Sequence, residues 1–373
     1  MALHPLSAEQ FPLGLPLPWN VTDSAGQLLL AEGYTPKRDS QIDVLVARES
    51  YADTSSPPPL LRPLPENSEA RGYDPFKLWV SIQDELDVLL HDIRIEGNFT
   101  RQIDNLAVLV QMLAERSPDT VLAAISMSDQ RRYPIAHSLH VALLVELSAR
   151  RLKWDEARRR SLVCAAMTMN LAMLDLQAAL CTQRIAPSDA QRREIERHPQ
   201  LAVDLLREAG VEDGAWLRAV LEHHERQEGG GYPSGISELC DEALLIQTAD
   251  IFSAKVSPRA ARAPITAHEA AKSLFIASAG GEKNPYAAVL IKEVGIFPPG
   301  TFVNLANGET ALVLRRGETT NTPLVASLVS KSGFAYGTPV KRETAQKEYS
   351  VVSVVPRDKM PASINMKRVW HLA

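Results

Sequence analysis

His223-His224-Glu225-Arg226-Gln227-Glu228-Gly229-Gly230-Gly231-Tyr232-Pro233 is the stretch on which the reading of this 373-residue chain turns. Two adjacent imidazoles and a carboxylate stand before three glycines, a tyrosine and a proline. Neutral imidazole is a common ligand for zinc, iron and other transition metals. Glycine allows backbone conformations that other residues resist, and Pro233 fixes the exit of the loop. The pattern places ligand-type side chains at a helix end before a glycine loop. That loop is either a structural turn or a surface for a ligand or partner. Tyr232 brings a ring for stacking and a hydroxyl for a phosphate.

Working outward, the chain on both sides is helical by pattern over about residues 76 to 292. Leu86, Val88, Leu89 and Leu90, then Leu106, Leu109, Val110 and Leu113, recur at helix-face spacing. So do Val141, Leu144, Val145 and Ser148, and Leu201, Leu205 and Leu206. Gly210 and Gly280-Gly281 read as helix ends. His137, His140 and His198 lie in this segment and could converge with His223 and His224. A lone histidine on a helix is more often a core or surface residue, so the weight rests on the adjacent pair.

The flanks differ in character. In residues 1–55, apolar runs around Leu15–Val21 and Gln27–Gly33 are split by Asp23-Ser24-Ala25-Gly26, which predicts a small β hairpin. One short helix is expected over 39–48. Residues 56–75 form a proline-rich linker, with Pro57-Pro58-Pro59, Pro63, Pro65 and Pro75, because each proline removes a backbone donor. Residues 296–373 are β-rich: Thr301–Leu305, Thr310–Leu314, Leu324–Val329 and Tyr349–Val355 are apolar runs separated by turn residues, predicting a small sheet or barrel.

Composition narrows the function. Lys plus Arg is 40 and Asp plus Glu is 45, a net charge of −5, which argues against a strongly basic binder of duplex nucleic acid. The three cysteines, Cys164, Cys181 and Cys240, have no metal-type spacing and suit a reducing compartment. No membrane span and no signal peptide are expected, so the reading is cytoplasmic. No Walker-type or dinucleotide glycine loop is present. Arg158-Arg159-Arg160 and Arg192-Arg193 read as solvated helix faces.

The quoted stretch resembles the signature of the HD-GYP family of cyclic di-GMP phosphodiesterases: His-His-Glu, two variable residues, Asp-Gly, one variable residue, Gly-Tyr-Pro. Glu228 departs by one methylene. Ala136-His137-Ser138-Leu139-His140 resembles the family's early His-Ser helix, His198-Pro199 its next histidine, and Ala249-Asp250-Ile251-Phe252-Ser253 its later Asp helix. Arg259 and Arg262 sit where that family carries basic residues. The resemblance covers about residues 105 to 290. It implies a mainly α fold, an HD-superfamily helical bundle core with a small β-containing N-terminal segment and a small β-rich C-terminal domain. It also implies metal ligands at His137, His198, His223, His224 and Asp250, ligand contacts at Tyr232, Arg259 and Arg262, and a functional loop of Gly229, Gly231, Tyr232 and Pro233. The family's metal-bound hydroxide attacks phosphorus, and its cations neutralise the developing charge.

The chain departs from the family where the name-giving His-Asp pair belongs. Ala165-Ala166-Met167-Thr168-Met169-Asn170-Leu171-Ala172-Met173 puts Met169 at the His position, Asn170 at the Asp position and Met173 at the Lys position. A thioether is a soft, weak ligand for a hard or borderline ion. A neutral amide brings no charge to hold two dications about 3.5–4 Å apart. Met169 and Met173, four apart, are expected on one helix face as packed core. The expected cofactor is therefore one transition metal ion (iron, manganese or zinc), with a bridged pair disfavoured. The chain is read first as a degenerate HD-GYP regulator that binds cyclic di-GMP or a signalling protein with little or no turnover. The alternatives are an active metal-dependent phosphodiesterase, with Glu225 or Glu228 assisting, and an interaction scaffold without nucleotide binding. A homodimer is compatible with each.

Overall fold

The structure is a computed structural model, and it describes residues 4–6, 17, 20–30, 34, 36, 39–47, 50–52, 74–93, 99–127, 132–257, 265–277, 284–356, 359 and 360. The chain divides into two compact units, Met1–Asp74 and Pro75–Ala373. Nearly all of the proline-rich stretch 56–75 lies outside the described residues.

The first unit holds strands β1 (His4–Pro5), β2 (Val21–Thr22), β3 (Leu28–Leu30) and β4 (Tyr51–Ala52), with helix α1 (Asp39–Ala47) between the last two. The strands form an antiparallel sheet in the order β1-β4-β2-β3. The expected hairpin is β2–β3. Its turn is set by Asp23, whose Oδ1 accepts from the backbone N–H groups of Ala25 (2.9 Å) and Gln27 (2.8 Å). Gly26 takes the positive φ, +81°. β1 and β4 carry only two residues each and left no periodic signal. Leu6, Leu17, Val21, Ile42 and Leu45 make a small core.

The second unit begins with eleven helices among the described residues: α2 (Pro75–His91), α3 (Phe99–Arg116), α4 (Pro118–Met127), α5 (Tyr133–Arg151), α6 (Glu156–Thr168), α7 (Leu174–Thr182), α8 (Asp189–Glu208), α9 (Gly214–Glu222), α10 (Asp241–Val256), α11 (Ala267–Ala277) and α12 (Tyr286–Val294). α5 is the axis, buried on every face from Tyr133 to Ala149. A helix enclosed on all sides carries no amphipathic stripe, which is why its sequence is apolar almost throughout. Side-chain caps set three starts: Asp155 for α6, Asp213 for α9, and a Ser188–Gln191 capping box for α8. Gly210, at φ +85°, follows the end of α8 as expected, whereas Gly280-Gly281 lie outside the described residues.

Two of the expected core positions are corrected. Val88 is 65% exposed and Leu201 is 37% exposed, because Leu86 with Leu90, and Ala202 with Leu206, form the inward rows of their helices. A third correction bears on the site. α6 ends at Thr168, Met169 caps it, and a 3-10 turn, Leu171–Met173, leads into α7. Met169 and Met173 therefore do not share one helix face.

By length and composition alone, the stretch Glu156–Thr182 is apolar enough to cross a membrane. It is broken at Met169–Met173 and 72% of its apolar window is buried in the unit, so it is a core element here.

The C-terminal sheet contains β5 (Phe302–Leu305), β6 (Thr310–Arg315), β7 (Leu324–Val329), β8 (Ala335–Glu343) and β9 (Val351–Val355), antiparallel in the order β8-β7-β6-β5-β9. Phe302, Leu312, Leu314, Ala326 and Leu328 are buried on one face, and Val303, Leu305, Ala311, Val313 and Val325 on the other. Burial on both faces accounts for the near-continuous apolar runs. β8 escaped the sequence reading because Gly337 and Pro339 interrupt it. Its edge position tolerates a proline. Arg316, just past β6, donates from Nε to Asp119 Oδ1 (2.6 Å) and from Nη1 to the Glu293 carbonyl (2.8 Å), tying the sheet to α4 and α12.

Candidate metal centre and its cleft

His198 and Pro199 lie in the interior of α8. Pro199 has no N–H, so it leaves the carbonyl of Ile195, four residues back, without its helical donor. His198 Nδ1–H takes that carbonyl at 2.6 Å. A parallel event occurs at the end of α9. The last carbonyls of a helix have no intrahelical partner, and His223, the C-cap residue, gives Nδ1–H to the Val220 carbonyl at 2.6 Å.

These two bonds fix both tautomers. With Nδ1 protonated, neutral His198 and His223 each present a lone pair on Nε2, and these two nitrogens face one another at 3.2 Å. Protonation does not relieve the contact near neutral pH. Burial, and then His223, push His198 down to about 3, and burial lowers His223 as well. A cation does relieve it. Two imidazoles on one tetrahedral ion at about 2.0–2.1 Å stand about 3.3 Å apart. His224 completes the group, since one ligand nitrogen of each histidine lies within 4.8 Å of the others. Its ring is 4.1 Å from that of His223 and 4.7 Å from that of Tyr232. Backbone carbonyls behind metal-type histidines are the usual outer support of such sites. The residues present fit one ion.

His137 and Asp250 form a separate pair. His137 Nε2–H donates to Asp250 Oδ1 at 2.6 Å. The other ring nitrogen of His137 is approached by Ser253 Oγ (3.2 Å) and Tyr133 Oη (3.4 Å), and the Tyr133 ring stacks on it. Burial works to raise the pKa of Asp250. The hydrogen bond and charge of His137 outweigh it and hold the carboxyl well below the usual range. His140, one turn on, does not join either group. It is buried against the ring of Trp79, and burial followed by His137 pushes it down to about 3.

A cleft of about 230 Å3 opens between these groups, bounded by His137, Asp250, His224, Tyr232, Asn170 and Met173, with Gln177, Leu180, Cys181 and Ile195 along one wall. Asp250 is the one carboxylate among its described lining residues. Asn170 is buried at the start of the 3-10 turn and its side chain does not cap that turn. Met169 is fully buried, and Met173 borders the cleft.

The glycine loop is held from inside. Glu225 is buried and its Oε1 accepts from the backbone N–H of Ser234 (2.6 Å) and Gly235 (3.0 Å). Gln247 Nε2 donates to the Glu225 carbonyl at 2.7 Å. Glu225 is thus an organiser of the loop, and Glu228 is exposed. Neither stands among the residues lining the cleft. Gly231 is required sterically, since a Cβ there would overlap the Glu225 backbone. Gly229, at φ +78°, and Gly230, at +72°, supply the turn, and Pro233 follows Tyr232 through a cis bond.

The structure therefore brings His198, His223 and His224 together, sets His137 and Asp250 beside them, and places Tyr232 on the same cleft. Arg259 and Arg262 lie outside the described residues. Sequence reasoning missed Gln177 and Tyr133, which no motif marks, and the role of Pro199, although the His198-Pro199 pair was in plain view.

Residues 109–279, within the helical unit, match the family described as HD domain. Its His-His-Glu and Gly-Tyr-Pro residues, and the relatives that it matches, support a place near the HD-GYP proteins. It is similar to the cyclic di-GMP phosphodiesterase PA4108 of Pseudomonas aeruginosa, 26% identical over 214 residues, 56% of this chain and 51% of that protein. It is also similar to the 3′3′-cGAMP-specific phosphodiesterase 3 of Vibrio cholerae, 30% identical over 133 residues, 35% of this chain and 29% of that protein. The chain thus spans about half the length of the first relative and under a third of the second. A solved structure, Bd1817, a HDG"Y"P protein from Bdellovibrio bacteriovorus, aligns with a TM-score of 0.49 at 14% identity over 78% of this chain and 98% of that one.

Proposed function

We propose that this chain is a regulator in cyclic dinucleotide signalling whose HD-GYP site is degenerate, binding cyclic di-GMP or a protein partner with little or no turnover. The observation that carries the reading is the charge of the cleft. Its one described carboxylate, Asp250, is already committed to His137, and the residue at the bridging position is the neutral Asn170. A second dication beside the first therefore meets too little negative charge.

His198, His223 and His224 would hold a single iron, manganese or zinc ion, which when bound would supply electrostatic attraction for a phosphate oxygen. The remaining work falls to the chain. The Ile195 and Val220 carbonyls keep two rings aimed at one point. Tyr232 lines the cleft and brings a ring and a hydroxyl. Asn170 offers a donor and an acceptor without charge, enough to bind a phosphodiester but not to anchor a second cation. Arg259 and Arg262 belong to this reading as phosphate contacts.

The test is calorimetric titration of the full chain with cyclic di-GMP, paired with an anaerobic hydrolysis assay with added iron or manganese. Binding without turnover supports the reading. Turnover that disappears in His223→Ala contradicts it and favours an altered one-metal phosphodiesterase, a reading the intact three-histidine group keeps in view. Absence of any nucleotide binding favours a scaffold.

A further inference from the structure

One wall of the cleft is made by α7 and the residue that precedes it. Met173, Gln177, Leu180 and Cys181 are spaced i, i+4, i+7 and i+8, and all four line the cleft with Ile195 of α8. Four of these five side chains are apolar or weakly polar, and the fifth is a carboxamide. Gln177 is 9% exposed, and its Oε1 is enclosed without a hydrogen-bond partner among the described residues. Buried polar atoms are nearly always satisfied, and an exception calls for a functional account.

The surroundings indicate what would satisfy it. Met173, Leu180 and Ile195 make part of the lining apolar, and Tyr232 lines the same cleft. A thioether, two aliphatic chains and a phenol ring suit the face of an aromatic heterocycle. A cavity of about 230 Å3 is below the range usual for whole drug-sized ligands, so it takes part of one. A carboxamide beside a heterocycle reads its hydrogen-bonding edge.

We propose that Gln177 is a specificity-determining residue whose Oε1 accepts from an N–H of a purine base, while the phosphate of the same nucleotide lies toward His224. This rests on the reading that the cleft binds a cyclic dinucleotide. Purines offer the needed donors: guanine through N1–H and its amino group, adenine through its amino group.

The test is titration of the metal-loaded full chain with cyclic di-GMP, with inorganic phosphate and with the metal alone. Gln177→Met keeps the length of the side chain and removes the acceptor, and Gln177→Glu keeps an acceptor. Gln177→Met is expected to weaken cyclic di-GMP about tenfold while leaving affinity for the metal and for phosphate unchanged. Gln177→Glu is expected to retain binding within about threefold, and it carries the test if the Met variant does not fold. A wild-type chain that binds cyclic di-GMP, with Gln177→Met equal to it, overturns the role of Gln177 alone. So does a parallel loss of phosphate or metal binding, which marks a structural role. A wild-type chain that binds phosphate but no cyclic dinucleotide overturns both this inference and the reading beneath it.

Discussion

Replacing Pro199 with alanine separates the stability of α8 from its use at the site. Proline in a helix interior costs about 3 kcal/mol relative to alanine, through the lost N–H and a clash with the carbonyl four residues back. That carbonyl, Ile195, is the one His198 Nδ1–H occupies at 2.6 Å. The side-chain bond returns on the order of 1 kcal/mol. Pro199→Ala restores a backbone donor to the same oxygen, so a net gain of about 2 kcal/mol is expected. At about 2–4 °C per kcal/mol for a domain of this order of size, the melting temperature rises by about 4–8 °C. The metal affinity moves the other way. Loss of an outer-shell partner weakens a site by about 10–100-fold. The low end, about tenfold, is expected because a carbonyl has two lone pairs and His198 keeps a share. Differential scanning calorimetry of the apo chain and titration with manganese or zinc measure the two effects. A stabilised variant with wild-type metal affinity would refute the argument that Pro199 exists to free a carbonyl for His198. A destabilised variant would refute the helix arithmetic.

Three further outcomes are expected. His140 is neutral and buried, with its folded pKa depressed to about 3 from 6.5, so the unfolded chain binds a proton below pH 6.5 that the folded chain does not. Stability is therefore full above about pH 6.5 and falls as pH drops toward 3, by up to about 1.4 kcal/mol per pH unit from this group; urea denaturation of wild type and His140→Phe at pH 7.5 and 5.5 should give a shallower slope for the variant, and equal slopes would contradict the assignment. Gly231→Ala forces a Cβ onto the Glu225 backbone and should cost at least about 1–3 kcal/mol, with weakened nucleotide binding in the same preparation; a variant with unchanged melting and binding would show that the loop has room to move. Restoring the family residues in Met169→His/Asn170→Asp/Met173→Lys should raise metal content and cyclic di-GMP hydrolysis together, and a variant that folds but gains neither would remove the explanation of degeneracy by those three positions.

How much was legible in the sequence differs by feature. The pair His223-His224 was, as adjacent imidazoles before a glycine loop, while the part of His198 and the fold class came from the resemblance to the HD-GYP motifs. The break at Met169–Met173 was not. An apolar run reads the same whether it is one helix or two joined by a 3-10 turn, and the periodicity that would tell them apart vanishes when every face is buried. β8 was hidden by Gly337 and Pro339, which only an edge strand accommodates. Gln177 was invisible for a different reason. A single glutamine in an apolar helix carries no pattern, and only the neighbours brought by α8 show that its oxygen lacks a partner. The loop-holding part of Glu225 was hidden, because a carboxylate beside two histidines reads as chemistry and only the fold shows its Oε1 accepting backbone N–H groups from the loop.

The most direct measurement is the number and position of metal ions in crystals of the full chain grown with manganese, located by anomalous scattering. One peak enclosed by His198, His223 and His224, with nothing beside Asn170, is the predicted result. Two peaks of comparable occupancy on either side of Asn170 would contradict the account, because a neutral amide would then be holding a pair of cations that it has no charge to hold.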